Sequence, residues 1–372
     1  MMLLLSGCWD SKTIQDVNYI VALGFDYKEG EYRVYAQMLD FANVAKQEGG
    51  GGTKASIWIG EGKGRSVRQA MVSLYDTAQQ LVFWGHVSSF VFTESALRQG
   101  VDQFVDALIR YREMRYTQWV YGTKEPIQSL LNTVPFFHLS PLSSILSEPE
   151  GNYEQHSFPE PIRLNRFIAD MREPGRTVLL PAIGIDKKVW KKDGKPDPKL
   201  LLNGLFLIQN GTNVTWIERS HLLGLQWLNN RAEAIQLSLY EGKRKLAQLT
   251  MDSSKHVSKA KVQEGTIVLD LEIQTSGRIA ELYEEMELEK IRKLAEEKVR
   301  AEITQTFEYA RRKKVDVYRG EYILYHDRFR AWSELTGNGN RREIPIKLGK
   351  VNVRVKVTQS GMYKAETRQP QY

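Results

Sequence analysis

Apolar and polar positions along the chain alternate in blocks that read as strands and helices by turns. Asp16–Asp26 is a near-continuous apolar run (Val17, Tyr19, Ile20, Val21, Ala22, Leu23, Phe25), which predicts a buried strand. Lys28-Glu29-Gly30 supplies a turn, after which Tyr32, Val34, Ala36 and Met38 alternate with Arg33, Tyr35 and Gln37, the period of a half-buried strand. Gln47–Thr53 holds four consecutive glycines and reads as a flexible loop, and Ala55–Ile59 as a short strand. Ser66 is placed to cap a helix reaching Val82, with Val67, Ala70, Met71, Leu74, Ala78 and Leu81 on one face. A strand at Val87–Thr93 follows, then a helix at Val101–Tyr111 with Phe104, Val105, Leu108 and Ile109 inward, and a strand at Thr117–Tyr121. Pro126 suits the first turn of a short helix ending near Thr133, and Thr177–Ile185 is another apolar strand. This alternation predicts an α/β or α+β region in which parallel pairing is available.

Lys187–Lys199 is charged, contains Gly194, Pro196 and Pro198, and lacks apolar periodicity, so it reads as a linker. Beyond it come a strand at Leu200–Gln209, a helix around His221–Asn229, and a strand at Gly265–Thr275 with Ile267, Leu269, Leu271 and Ile273 alternating. A long helix is expected from about Ile279 to Lys314, because Ile291, Ala295, Val299, Ile303 and Phe307 recur every fourth residue. Its glutamate-rich start and its Arg311-Arg312-Lys313-Lys314 end complement the helix dipole. Ile344, Ile346 and Leu348, then Val351, Val353, Val355 and Val357, form amphipathic strands suited to an antiparallel sheet under that helix. The expected organisation is multidomain and of mixed α/β or α+β class. Residues 1–8 are a lipoprotein signal remnant and lipobox, 9–186 an N-terminal mixed-sheet α/β domain, and 187–199 the linker. Residues 200–367 are a C-terminal α+β region, with room for a subdomain division near 215–265.

The chain's 372 residues exceed one ordinary core, which agrees with two or three domains. A formal charge of +7, from 52 basic against 45 acidic residues, is a mixed surface with a mild basic excess. That is not the charge field of a nucleic-acid binder, and a weak attraction to anionic lipid is the more economical reading. No run approaches the roughly 18 apolar residues of a membrane-spanning helix.

The single cysteine excludes an internal disulfide and any cysteine-based zinc site. Its setting, Leu5-Ser6-Gly7-Cys8, matches the bacterial lipobox: an aliphatic residue, two small residues, then the thiol that takes a thioether-linked diacylglycerol. Cys8 is therefore the expected lipidation site. Two acyl chains anchor stably where one holds marginally, at about 0.8 kcal/mol per buried CH₂. Seven residues precede Cys8 and none is basic, short of the usual leader of about 15–30 residues, so a longer leader is expected.

Catalytic and metal-binding patterns were sought without result. The six histidines (His86, His138, His156, His221, His256, His326) are scattered singly, with no HExxH and no His-x-His. Gly60-Glu61-Gly62-Lys63-Gly64-Arg65-Ser66 lacks the spacing of a phosphate loop and reads as a tight strand-to-helix turn. No GxSxG is present. Arg110, Arg112, Arg115 and Glu113 form a charged knot that reads as a salt-bridged helix end, with a docking patch as the alternative. Trp84, Trp119, Trp190, Trp216, Trp227 and Trp332 read mostly as core anchors. No catalytic residue, cofactor site or metal site is expected.

Several segments, in order along nearly the whole chain, resemble the Ger(x)C family of spore-germination receptor lipoproteins. They are Gly7-Cys8-Trp9-Asp10, Ala22-Leu23-Gly24-Phe25-Asp26, Trp84-Gly85-His86, Arg110-Tyr111-Arg112-Glu113-Met114-Arg115 and Leu180-Pro181. In the second half, Asn203-Gly204-Leu205-Phe206, Gly224-Leu225-Gln226-Trp227-Leu228, Asp316-Val317-Tyr318 and Trp332 fit similarly. Val317–Ala331 departs from the family's glycine and proline pattern. The resemblance implies a non-enzymatic, lipid-anchored subunit on the outer face of the inner spore membrane, acting with two integral-membrane partner subunits in nutrient sensing. It carries no catalytic residue, and it leaves open whether this subunit touches the small-molecule germinant. The alternatives are a lipid-anchored solute-binding protein, disfavoured by two dissimilar halves, and a lipid-anchored hydrolase, disfavoured by the missing motifs.

Overall fold

The computed structural model describes residues 17–39, 56–341 and 343–358; Cys8 and Gln47–Thr53 lie outside them. The described chain packs as two compact units, neither continuous in sequence: Met1–Glu148 with Ile183–Leu201, and Pro149–Ala182 with Leu202–Tyr372. Residues 149–182 thus pack with the second unit.

In the first unit, β1 (Val17–Lys28) and β2 (Glu31–Leu39) form an antiparallel hairpin. Its turn residues Glu29 and Gly30 both have positive φ (57° and 82°), the twist a two-residue hairpin requires. β3 (Ile57–Gly64) joins β2 antiparallel. On the other side, β4 (Leu81–Phe83) and β5 (Ser89–Thr93) run parallel to β1, and β6 (Trp119–Thr123) parallel to β5. Parallel neighbours need crossovers, and the helices α1 (Val67–Ser73), α2 (Glu94–Gln99), α3 (Asp102–Ile109) and α4 (Ile127–Leu131) lie in the connections. Phe25, Phe90, Phe92 and Phe104 are fully buried between sheet and helices, with Phe25 stacked on Phe92 at 5.0 Å.

Three expectations change here. Gln37 keeps the facing its alternation predicts, but that face of the sheet is covered too, so Gln37 is buried instead of exposed. Its buried amide donates to the Leu131 carbonyl at 2.6 Å, which removes the cost of burial. The glycines at 60, 62 and 64 belong to β3 itself and not to a turn. A Cβ on Gly62 would sit 2.0 Å from the Ala70 carbonyl oxygen, so these glycines let α1 lie directly on the strand. Ser66 does cap α1, accepting from the Gln69 amide at 3.2 Å while Gln69 Oε1 accepts from the Arg65 amide. The helix ends at Ser73, however, and Leu81 stands half exposed in β4.

The chain then forms α5 (Glu150–His156), β7 (Ile162–Arg163), α6 (Leu164–Arg172) and β8 (Val178–Asp186). The stretch expected as a linker folds as a small hairpin, β9 (Lys191–Lys192) with β10 (Lys195–Pro196), turning through Asp193 and Gly194 at positive φ. In the first unit, Trp190 packs edge-on against Phe136 at 4.9 Å and Lys199 lies over the same ring. β11 (Lys199–Gln209) and β12 (Asn213–Glu218) pair antiparallel. The residues expected as a helix near His221–Asn229 are two 3₁₀ turns, Arg219–His221 and Leu223–Leu228.

The second unit is built on a four-stranded sheet in sequence order: β13 (Ile235–Glu241), β14 (Arg244–Gln263), β15 (Thr266–Leu282) and β16 (Ile346–Thr358). One face packs against α7 (Leu288–Arg312) and α8 (Gly320–Asp327); α9 (Phe329–Thr336) follows. Ile291, Ala295, Val299, Ile303 and Phe307 are all buried, as their fourfold spacing predicts. Ile279–Leu282, expected to begin this helix, instead extend β15, and Glu287 occupies the helix N-cap. The sheet is antiparallel except that β16 runs parallel to β15. The chain returns through three helices to the same side of the sheet, and that crossover dictates parallel entry.

Candidate functional site

Among the described residues no group of three His, Cys, Asp or Glu side chains converges as a metal site would require. The histidines are held singly. His86 meets Tyr19 edge-on at 5.0 Å, His221 stacks on Tyr309 at 3.9 Å, His256 Nδ1 lies 3.0 Å from Asn230 Oδ1, and His326 pairs with Asp327. What the structure does bring together are the sequence segments that carry the family resemblance.

In the first unit, Gly24 lets β1 pass α4, since a Cβ there would meet Ile127 Cγ2 at 2.2 Å. The next residues, Phe25 and Asp26, serve the core and a cap. Asp26 Oδ1 accepts from the Thr93 and Ser95 hydroxyls, each at 2.6 Å, at the start of α2. The charged knot and the Trp-Gly-His segment meet. The Trp84 amide donates to Glu113 Oε2 at 3.2 Å, its indole N–H donates to the Tyr75 hydroxyl at 2.8 Å, and its ring lies 6.0 Å from Tyr111. Arg110 pairs instead with Asp106 on α3 at 3.1 Å, the salt-bridged helix end expected. An open cleft of about 730 Å³ lies beside this cluster, lined by Arg68, Val72, Tyr75, Asp102, Asp106 and Arg110 among others.

In the second unit, the Gly-Leu-Gln-Trp segment is clamped onto α7. A Cβ on Gly224 would come within 2.3 Å of the Tyr318 hydroxyl and 2.7 Å of the Glu302 carbonyl oxygen. The Gly224 amide donates to Thr306 Oγ1 at 2.9 Å, and the Tyr318 hydroxyl to the Ile303 carbonyl at 2.8 Å. Glu302 Oε2 accepts from the buried Trp227 indole at 2.8 Å, with Lys298 at 3.6 Å. Burial pushes the Glu302 carboxyl above the usual range against these stabilising contacts, and burial raises the Tyr318 phenol further. On β11, Gly204 fits against the Ile217 carbonyl, where a Cβ would stand 2.3 Å away.

A second polar cluster gathers around Asp170 on α6. Its carboxylate lies 2.8 Å from Arg176, 3.0 Å from Arg166 and 3.4 Å from Arg319. Arg319, at positive φ, also donates to the Thr177 carbonyl, and burial together with Arg176 lowers its guanidinium to about 10. Asp316, fully enclosed and raised by burial, accepts from the Glu321 amide at 2.9 Å and so caps α8. Glu321, also raised by burial, accepts from the Trp332 indole at 3.2 Å. Partners 149 residues apart make this cluster invisible to sequence spacing, although Asp316-Val317-Tyr318 and Trp332 marked its rim. Trp84, Trp119, Trp227 and Trp332 are buried as expected, whereas Trp190 is 53% exposed. In these constellations side chains pack, cap helices and pair charges, while Asp316 Oδ1, Thr177 Oγ1 and, despite its ion pair, Arg176 Nε are buried without a hydrogen-bond partner among the described residues.

Residues 10–185 match the model described as the spore germination protein N-terminal domain, and residues 203–361 that described as spore germination B3/GerAC like, C-terminal. Among curated relatives from Bacillus subtilis (strain 168), spore germination protein KC is 22% identical over 366 residues, covering 92% of this chain and 89% of the relative. The putative spore germination protein YfkR is 24% identical over 286 residues, covering 75% of this chain and 72% of its own length. The crystal structure of the GerBC protein superposes with a TM-score of 0.54 at 15% identity, covering 90% of this chain and 96% of that one, a likeness of fold. With both domain models matched in order, the chain belongs to the GerAC-like family of spore germination proteins, the C-type subunits of germinant receptors.

Proposed function

We propose that this protein is a lipid-anchored, non-enzymatic subunit of a spore nutrient germinant receptor. Diacylglycerol on Cys8 holds it at the outer face of the inner spore membrane, where it assembles with two integral-membrane subunits to trigger germination. The observation that carries the reading is the Leu5-Ser6-Gly7-Cys8 lipobox, standing immediately before the family match that begins at residue 10. No helix among the described residues is long and apolar enough to cross a membrane, so a covalent anchor is what would hold such a subunit at a bilayer. Tethering raises the effective concentration of the two folded units near membrane partners, so weak contacts suffice for assembly.

Replacing the thiol tests it. A Cys8→Ser protein produced in sporulating cells is expected to leave the membrane fraction in a high-salt wash that retains the acylated protein, and to reduce nutrient-triggered germination. Unchanged membrane retention with unchanged germination would refute the anchor.

A further inference from the structure

We propose that the outer face of the β14–β15–β16 sheet is a binding surface for anionic lipid headgroups. Residues paired across neighbouring strands share a face, and the pairing builds short rows here. Lys255 stands opposite Gln274 and Gln274 opposite Arg354; Lys261 stands opposite Val268 and Val268 opposite Lys347; Lys356 stands opposite Ser276. The alternate positions, including Ala260, Leu269, Leu271, Ile273, Val353 and Val355, are the buried ones, so the helices occupy the other face.

The charge on the outer face is one-sided. Its carboxylates are few and mostly engaged. Asp270 is held by Lys261 at 2.9 Å and by the Lys350 amide at 2.8 Å, Asp252 lies 3.6 Å from Arg278, and Glu281 lies 4.0 Å from Lys245, which leaves Glu272. Lys255, Lys259, Lys347, Lys350, Arg354 and Lys356 are exposed and form no ion pair among the described residues. On α7, by contrast, Arg292 pairs with Glu289 and Glu296. Uncompensated cations on a flat sheet repel one another, so their concentration here is a cost that an external anion relieves.

The composition of the face selects the occupant. Centres of protein–protein interfaces are depleted in charge and carry aromatic or large apolar anchors. These rows contain no aromatic residue, and Val257, 50% exposed, is the large apolar side chain that stands out from them. With strands about 4.8 Å apart and residues about 3.3 Å apart along each, the cations spread over a patch on the order of 10 by 20 Å. A patch of that size meets several headgroups at once, and each basic residue near an anionic surface raises affinity roughly fivefold. The inference rests on the membrane-anchored reading only for the presence of a bilayer nearby.

The test uses the full chain as Cys8→Ser, so acylation plays no part and failure of the anchor is distinguishable from failure of this surface. Sedimentation is measured with vesicles of phosphatidylcholine alone and of phosphatidylcholine mixed with phosphatidylglycerol. Binding to the mixed vesicles only, weakening as added salt shortens the screening length, is the expected result. Combined Lys255→Gln, Lys259→Gln, Arg354→Gln and Lys356→Gln lowers that affinity between tenfold and about a thousandfold. The charge-preserving set Lys255→Arg, Lys259→Arg, Arg354→Lys and Lys356→Arg retains it, and melting curves of both sets exclude misfolding. Equal binding to both vesicles, or equal binding by the neutralised and charge-preserving sets, overturns the proposal. No binding to either vesicle overturns it too and leaves the face to an acidic protein.

Discussion

At the scale of single residues, the segments that mark the family work by close approach and by closing buried hydrogen bonds. Gly224 is the clearest case, because the space a Cβ needs is taken by backbone atoms of α7 as well as by Tyr318. Gly224→Ala is expected to destabilise the second unit by about 1–3 kcal/mol, read as a lower melting temperature. Glu302 offers a sharper test, since its charge and its hydrogen bond separate. Removing the acceptor with Glu302→Ala strands the Trp227 indole and costs about 1–3 kcal/mol. Glu302→Gln keeps an acceptor and removes the buried charge. Burial raises the carboxyl's folded value, so protonated Glu302 favours the fold below the unfolded value of about 4.3. That contribution is lost as pH rises through the raised value. Melting of Glu302→Gln relative to the native protein should therefore improve with rising pH; a difference independent of pH would show that Glu302 does not titrate in this range.

At the scale of elements, the fourfold apolar stripe of α7 was legible from sequence because a repeat near 3.6 residues sustained from Ile291 to Phe307 has one interpretation. Truncation within that stripe, Ile303→Ala, is expected to cost about 2–5 kcal/mol in chemical denaturation. Lys293→Ala, on the exposed side, should cost less than about 0.5 kcal/mol. Other boundaries were not legible. Ile279–Leu282 reads equally as helix or strand, and it extends β15 because β14 is long enough to pair with it. The glycines of β3 look like a turn by composition, since sequence does not reveal that α1 lies on top of them. Residues 187–199 look like a linker because their two strands have two residues each, too short for any period to show. Gln37 reads as solvent-facing because alternation alone does not reveal that Ile127–Leu131 cover that face of the sheet. The clusters around Asp170 and Glu302 stayed hidden for another reason. Their members meet only after the chain has folded, and a lone Asp, Glu or Arg carries no positional signal.

At the scale of the whole molecule, the family match places the chain among C-type germinant-receptor subunits. The proposed hold on the membrane is a covalent bond at Cys8. Mass spectrometry of the N-terminal peptide of the protein isolated from spores tests it most directly. The account predicts a chain beginning at Cys8 with a diacylglyceryl thioether on its sulfur. A free thiol at that residue, in protein recovered without detergent, would contradict it.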